Sequence, residues 1–136
     1  MALHCSDITN RGGLESYERG LKFLEAIKAD LKLAIAGNHD LSLDGKYWAM
    51  KCKRWNDPEE HTRAMENMRG QATKDAGVTY LMEGMHEFKL KNGAVLRAYP
   101  SPYQPKFSEW AFQYEQNEGH FNGPEQVAEG VRSVAE

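Results

Sequence analysis

The stretch LKLAIAGNHD, residues 31–40, joins an apolar run to four residues of different chemistry. Its first six residues alternate in polarity and lead to Gly37, which is typical of a strand that feeds a loop. Gly37 and Asn38 alone would make a turn, because both tolerate backbone angles that other residues avoid. A turn requires neither His39 nor Asp40. This pair therefore indicates a loop that takes part in chemistry.

The residues before this stretch predict a β-loop-α-β unit. Residues 2–5 (ALHC) have the pattern of a strand. Residues 14–28 carry apolar side chains at steps of three or four, which predicts an amphipathic helix packed on a core. These helix positions are Leu14, Tyr17, Leu21, Leu24 and Ile27. The order strand, helix, strand predicts an α/β fold.

A second helix is predicted over residues 58–75. Asp57 has the position of an N-cap, Pro58 that of the first helical residue, and Glu60 that of the partner in a capping box. Gly77 is the expected end of the helix. The predicted buried stripe consists of Ala64, Met65, Met68 and Ala72. Residues 48–56, which precede this helix, are aromatic and basic, and their apolar positions show no clear period.

The remaining third predicts strands followed by a packed irregular segment. Residues 78–82 form one expected strand, and residues 86–90 and 94–99 form a hairpin around Asn92-Gly93, a pair that favours a type I′ turn. Residues 101–114 hold two prolines and five aromatic side chains and are expected to pack over the end of the sheet. A last helix is predicted after Gly123-Pro124, with apolar positions Val127, Val131 and Val134.

Length and composition limit the class of protein. With 136 residues, the chain fits a single domain, residues 1–136. The net charge of −3 argues against nucleic acid as a partner. No apolar run approaches the roughly 18 residues of a membrane span, and the Met1 end lacks a signal-peptide layout. We therefore expect a soluble, cytoplasmic protein without a membrane partner, with Cys5 and Cys52 as reduced thiols.

Two polar side chains follow the two N-terminal strands where each strand ends. Asp7 comes after the first strand and Asn38 after the second, and ligands gather at the carboxyl ends of strands in open α/β sheets. A carboxylate and an amide oxygen are ligands suited to divalent metals. His39 is placed to reach a substrate oxygen, and Asp40 to orient that imidazole.

Simpler structural roles compete with these functional ones. Asp7 alone is more often a helix cap or turn former, and Asn38 alone is more often a turn residue. Three further histidines lack a ligand-like context: His61 is expected on a helix surface, His86 on a strand and His120 in a loop. One short basic stretch, made of Lys51, Lys53, Arg54 and Trp55, is the weak basis for a nucleic-acid-binding alternative.

Three longer strings carry a family resemblance. HCSDITNRGG (residues 4–13), AGNHDLSLD (residues 36–44) and YPSPYQPKFSEWAFQY (residues 99–114) resemble the calcineurin-like metallophosphoesterases. Within that superfamily the chain is similar to the branch of metallophosphoesterase-domain-containing proteins common in fungi and animals. Ser6 departs from the glycine that many relatives carry. The resemblance implies a β-sandwich flanked by helices.

The resemblance also implies an activity and a role for each site residue. It implies hydrolysis of a small phosphomonoester or phosphodiester substrate by a metal-activated water. Asp7 would bridge two metals, Asn38 would bind a metal and a phosphate oxygen, and His39 would contact the leaving oxygen with Asp40 behind it. The implied cofactors are divalent metal ions, with Mn²⁺, Fe²⁺ or Fe³⁺, Zn²⁺ and Mg²⁺ as candidates.

Some family motifs are missing from this chain. We expect a partial fold that lacks the first strand, with its Asp-x-His block, and the C-terminal strands, with their Gly-His-x-His block. Such a shortened form or incomplete gene model would hold metals weakly, because few protein donors remain. It would also expose sheet edges and favour self-association. The alternative is a non-catalytic remnant that binds a partner through Trp110, Phe112 and Tyr114.

Overall fold

The computed structural model describes residues 1–115, except the side chains of Cys52 and Trp55. Its main sheet contains three parallel strands, which are β1 (Ala2–His4), β2 (Lys32–Ala34) and β3 (Val78–Tyr80), in the order β1-β2-β3. Helices separate these strands along the chain. The mixed α/β class is therefore confirmed, while the calcineurin-like architecture stays a prediction.

The first predicted helix is confirmed. Helix α1 runs over Leu14–Ala26 and ends where Ile27 becomes extended. Its buried residues, Tyr17, Leu21 and Leu24, are spaced by four and three as predicted. Gly13, at its N-cap, donates its amide hydrogen to Glu60 Oε1 at 3.0 Å, which ties the start of this helix to the start of a later one.

The segment after β2 holds a helix that the pattern did not predict. A single 3₁₀ turn, Leu41–Leu43, is followed by α2 (Gly45–Trp55). Asp44 caps α2, because its Oδ1 accepts hydrogen bonds from the amides of Lys46 at 2.9 Å and Tyr47 at 3.1 Å. The charge-rich stretch that looked irregular is therefore helical.

The long helix predicted over residues 58–75 is two shorter helices, α3 (Glu60–Arg69) and α4 (Gln71–Asp75). Gly70 interrupts them with an extended backbone, which agrees with its low helix propensity. The predicted capping box is wrong. Glu59 occupies the N-cap without a side-chain hydrogen bond, while Glu60 accepts from Gly13 instead.

The break at Gly70 also changes which side chains are buried. Ala64 and Met68 on α3 are buried, as predicted. Ala72 is exposed, and Thr73 and Ala76 are buried in its place, because α4 starts a new helical register. Only the part of the predicted stripe before the break is therefore correct.

The predicted end of this helical region and the predicted hairpin are both present. Gly77 has a φ of 67° directly before β3.

Strands β4 (His86–Lys89) and β5 (Val95–Ala98) pair antiparallel. The turn is not type I′, which requires positive φ at two residues, because Gly93 has a φ of 85° while Asn92 is not in that region. The Gly93 amide donates to the Leu90 carbonyl instead.

The aromatic segment, defined here as residues 101–114, packs on the rest of the structure as predicted. It contains two short parallel strands, β6 (Gln104–Pro105) and β7 (Gln113–Tyr114). Ala111 and Phe112 are buried in the main hydrophobic core. The same core holds side chains of α1, α2 and α3, among them Tyr17, Leu21, Tyr47, Trp48, Ala64 and Met68.

The described residues test several further expectations only in part. β1 and β3 are the edges of the main sheet, so self-association through an edge stays a prediction. No helix within residues 1–115 is long and apolar enough to cross a membrane. Cys5 is an exposed free thiol. The helix predicted after Gly123-Pro124 and His120 lie outside the described residues.

Candidate active site

Two loops meet at the carboxyl ends of the neighbouring strands β1 and β2. The amide of Ile35 donates to the carbonyl of His4 at 3.1 Å, so the two chains leave the sheet side by side. Asp7 Oδ1 then accepts a hydrogen bond from the backbone amide of His39 at 3.1 Å. The structure therefore brings Asp7 next to Asn38 and His39, at the edge where ligands gather in open α/β sheets.

Gly37 allows this close approach. A Cβ atom on Gly37 would lie 2.2 Å from Asp7 Oδ1 and 2.4 Å from the Asp7 amide nitrogen, distances that no side chain can occupy. Asp7 itself has a positive φ of 30°, which is strained for a residue with a side chain. The glycine of the AGNHD stretch is thus needed for contact between the two loops.

The side chain of Asp40 joins the loop after β1 to the loop after β2 through hydrogen bonds. Its side chain is fully buried and accepts four hydrogen bonds. They come from the amides of Ile8 at 3.0 Å, Thr9 at 2.8 Å and Gly37 at 2.8 Å, and from the Thr9 hydroxyl at 2.8 Å. Burial raises the pKa of this carboxyl, while the hydrogen bonds, led by that from Gly37, oppose the shift.

The role predicted for Asp40 beside His39 is not seen. Both oxygens of Asp40 are occupied by Ile8, Thr9 and Gly37, and none of its hydrogen bonds goes to the imidazole. His39 Nδ1 lies 2.8 Å from the carbonyl oxygen of Asn10 instead. The side chains of successive residues in this loop point in different directions. Asp40 is therefore buried in the core, while His39 is partly buried and contacts the loop of Asn10.

An aromatic ring covers His39. The indole of Trp110 stacks on the imidazole with 3.9 Å between ring centroids and 18° between ring planes. The guanidinium carbon of Arg11 lies 5.9 Å from the centroid of the Trp110 ring, which adds a positive charge beside the stack. Sequence reasoning missed Asn10, Arg11 and Trp110 as neighbours of His39.

Backbone hydrogen bonds hold the aromatic segment at this position. The amide of Ala111 donates to the carbonyl of Asn38 at 3.1 Å. The amide of Phe112 donates to Asp44 Oδ2 at 2.7 Å. The segment is therefore fixed on both the AGNHD loop and the N-terminus of α2. Phe112 is buried in the core, which removes it from the surface that a partner could contact.

The other histidines within residues 1–115 do not take part in the contact between Asp7 and His39. His61 is part-buried rather than on an open helix surface, and its Nδ1 lies 2.8 Å from the Ser42 carbonyl. His86 is on β4 as predicted, with Nε2 2.8 Å from the Met82 carbonyl. His4 is on β1, and its buried Nε2 has no hydrogen-bond partner among the described residues.

The metal-binding capacity of the described residues is limited. Asp7 and Asn38 carry oxygen donors of the kind that divalent cations take. Within residues 1–115, however, no group of three or more His, Cys, Asp or Glu side chains is placed to hold a metal ion. The described residues alone therefore do not fit a complete metal centre.

Comparison with known proteins gives distant matches. The chain is 25% identical over 131 residues to metallophosphoesterase domain-containing protein 1 of Homo sapiens and, with the same values, to that of Mus musculus; the match covers 95% of the chain and 39% of each relative. It is 29% identical over 112 residues to probable rhamnogalacturonate lyase C of Emericella nidulans, which covers 82% of the chain and 9% of that protein.

The chain therefore spans about two fifths of the length of the metallophosphoesterase relatives and less than a tenth of the lyase. No family model matches the chain. The matches of 25% identity extend over nearly all of the chain, and they suggest a distant relationship to the metallophosphoesterase-domain proteins.

Proposed function

We propose that this chain supplies part of the active site of a metal-dependent phosphoesterase, which hydrolyses a phosphomonoester or a phosphodiester. The observation that carries the proposal is the hydrogen bond of 3.1 Å between Asp7 Oδ1 and the His39 amide. It brings a carboxylate, an amide side chain and an imidazole to one edge of a parallel sheet. These are the residue types that phosphoester hydrolysis needs for metal binding and for proton transfer.

Each residue has a defined part in this proposal. Asp7 and Asn38 are two of the metal donors, and the others have to come from outside residues 1–115. Asn38 and His39 contact the phosphoryl group, with His39 Nε2 facing the leaving oxygen. Asp40 acts indirectly, because it holds the loop of Asp7 to the loop of His39. This role replaces the direct contact with His39 that the sequence predicted.

A phosphoesterase accounts for more of the chain than the lyase named in the comparison. The match to the metallophosphoesterase-domain proteins covers 95% of the chain, against 82% for the lyase match. The residues that meet at the sheet edge, moreover, are those expected from the resemblance to phosphoesterases. The competing function, a non-catalytic module that binds a partner through Trp110, Phe112 and Tyr114, has less support because Phe112 is buried.

Hydrolysis assays test the proposed roles. The purified chain is incubated with Mn²⁺ and p-nitrophenyl phosphate or its bis ester, beside Asp7→Asn and His39→Ala variants. His86→Ala is the matched control, because His86 lies on β4 and contacts Met82 rather than the site. We expect slow release of nitrophenol from the wild type and the control, because the described residues supply only part of the metal donors, and loss of that release in the two site variants. Equal rates in all four proteins would disprove the assigned roles.

Metal binding provides a readout that does not require turnover. Mn²⁺ is paramagnetic and broadens NMR signals of nearby nuclei even when only a small fraction of the protein binds it. We expect the amide signals of Asp7, Asn38 and His39 to broaden at Mn²⁺ concentrations that leave β4 and β5 unaffected. The Asp7→Asn variant should lose this selectivity. Uniform broadening in the wild type, or none, would favour the non-catalytic module.

A further inference from the structure

We propose that Trp110 is a positioning residue that, together with the Asn10 carbonyl, holds the His39 imidazole in one orientation and offers its Nε2 to a ligand. The orientation itself is a property of the fold. Its consequence for catalysis rests on the proposed phosphoesterase function. Two contacts of His39 carry the inference, one in the plane of the imidazole ring and one on its face.

The contact in the ring plane decides which nitrogen carries a proton. A carbonyl oxygen only accepts hydrogen bonds, so His39 Nδ1, at 2.8 Å from the Asn10 carbonyl, must be the donor. The neutral imidazole is then protonated on Nδ1, with a free electron pair on Nε2. Within residues 1–115 no hydrogen bond involves this Nε2. Nε2 is consequently the atom that can exchange a proton with a substrate oxygen.

The contact on the ring face limits rotation of the imidazole. A single hydrogen bond would allow the ring to tilt about the Nδ1–oxygen direction. The Trp110 indole, at 3.9 Å and 18° from parallel, stops this tilt on one face. Two bonds of the following residues keep the indole in place, from Ala111 to Asn38 and from Phe112 to Asp44.

The arrangement links distant parts of the sequence in one site. Asn10 belongs to the loop after β1, His39 to the loop after β2, and Trp110 to the aromatic segment. Ala111 is bonded to Asn38, the residue directly before His39, so the indole moves with the loop that it covers. The stack therefore fixes the orientation of the His39 side chain and does more than fill space in the core.

NMR of the histidine side chains tests the proposal in the full chain. The His39 signals are identified by their absence in a His39→Gln variant. For the neutral imidazole, in mildly alkaline solution, we expect ¹⁵N shifts typical of a proton on Nδ1, and ring protons shifted upfield by the indole. In Trp110→Leu the upfield shift should vanish, and the proton should redistribute toward Nε2, as it does in free histidine in water.

Conservative and control variants separate positioning from general stability. Trp110→Phe should retain the Nδ1 tautomer, because a phenyl ring still stacks on the imidazole. Phe107→Leu, a change at a 73% exposed side chain of the same segment, should leave the His39 signals unchanged. If Trp110→Leu does not fold, the wild type still decides the matter. A wild-type spectrum without the Trp110–His39 nuclear Overhauser effect, or with the proton on Nε2, would overturn the proposal.

Kinetics then separate the inference from the proposed function. If the wild type hydrolyses p-nitrophenyl phosphate, Trp110→Leu should lower kcat by about 10- to 100-fold, because a displaced catalytic group has effects of that size, with a smaller change in KM. An unchanged kcat in a variant that has lost the NMR signature would overturn the positioning role. A wild type with the signature but with neither hydrolysis nor Mn²⁺ broadening at Asp7, Asn38 and His39 would refute the phosphoesterase proposal alone.

Discussion

The carboxylate of Asp40 accepts two hydrogen bonds from Thr9, one from its amide and one from its hydroxyl, each at 2.8 Å, and so joins two loops 31 residues apart. Thr9 Oγ1 in turn accepts from the Gly12 amide at 2.8 Å, which shapes the rest of the first loop. The polar side chain of Asp40 thus performs a structural task beneath the candidate site. This explains why a buried acid directly follows His39.

Removal of the Asp40 carboxylate should destabilise the protein strongly. Asp40→Ala leaves the buried amides of Thr9 and Gly37 and the partly buried amide of Ile8 without an acceptor, and one buried group of this kind costs about 1 to 3 kcal/mol. We expect the free energy of unfolding, measured by urea denaturation, to fall by about 3 kcal/mol or more. Asp30→Ala, at an exposed ion pair with Lys91, should leave it almost unchanged. Similar losses in both variants would contradict the fastening role.

A methyl group at Gly37 should push the two loops apart. The added carbon would overlap the Asp7 backbone, which cannot move aside like a flexible side chain. We expect Gly37→Ala to lower the free energy of unfolding by about 1 to 3 kcal/mol and to shift the amide signals of Asp7 and His39. Gly93→Ala, where a Cβ meets nothing within 4 Å, is the control.

The control has its own expected effect. Gly93 has a positive φ, so Gly93→Ala should cost about 1 kcal/mol through backbone strain alone. The signals of Asp7 and His39 should stay where they are in the wild type. If Gly37→Ala leaves those signals unchanged as well, the close approach of the two loops is not a property of the protein in solution.

The sequence predicts the β1-α1-β2 unit because its signals are local. Tyr17, Leu21 and Leu24 repeat at helical spacing, and parallel neighbouring strands end at the same edge of a sheet. The meeting of Asp7 with the loop of His39 follows from that topology. α2 was missed because residues 48–56 show no clear apolar period and because Asp44, its cap, was read only as the last residue of the AGNHDLSLD string.

Contacts between distant loops could not be predicted from periodicity. Trp110 stacks on His39 although 70 intervening residues fold into α2, α3, α4, β3 and the β4-β5 hairpin, among other elements. The aromatic content of residues 101–114 predicted packing over the sheet end, but did not indicate which ring would cover which residue. Glu60 likewise fitted a local capping box, whereas tertiary packing gives its carboxylate to Gly13.

Loss of Asp44 should loosen the aromatic segment as well as α2. Asp44 Oδ1 caps the helix, and its Oδ2 accepts the 2.7 Å hydrogen bond from Phe112. Asp44→Ala removes both, and we expect a loss of about 2 kcal/mol, of which the cap supplies about 1 kcal/mol. Asp44→Ser should recover the cap but not the Phe112 bond. Faster hydrogen exchange at the Phe112 amide in both variants checks the second contact.

The buried Tyr17 and the partly buried Tyr80 should make the fold sensitive to alkali. Burial raises the pKa of Tyr17 and of Tyr80 above the ordinary value, and the charge of Asp40 raises each further. The folded state therefore binds more protons than the unfolded state once the pH exceeds about 10, so stability is present below that pH and is lost above it. Each tyrosine should lower the free energy of unfolding by about 1.4 kcal/mol per pH unit in this range.

Urea denaturation between about pH 9 and pH 11.5 measures this slope for the wild type and Tyr17→Phe. The variant should lose about 1 kcal/mol near neutral pH, since the hydrogen bond from Ser42 Oγ to the Tyr17 hydroxyl is absent. Above pH 10, where one titrating group is gone, its stability should fall less steeply than that of the wild type. Tyr103→Phe, which leaves Tyr17 and Tyr80 in place, should keep most of the wild-type slope. A Tyr17→Phe slope equal to that of the wild type would show that the Tyr17 hydroxyl titrates freely and is not buried in solution.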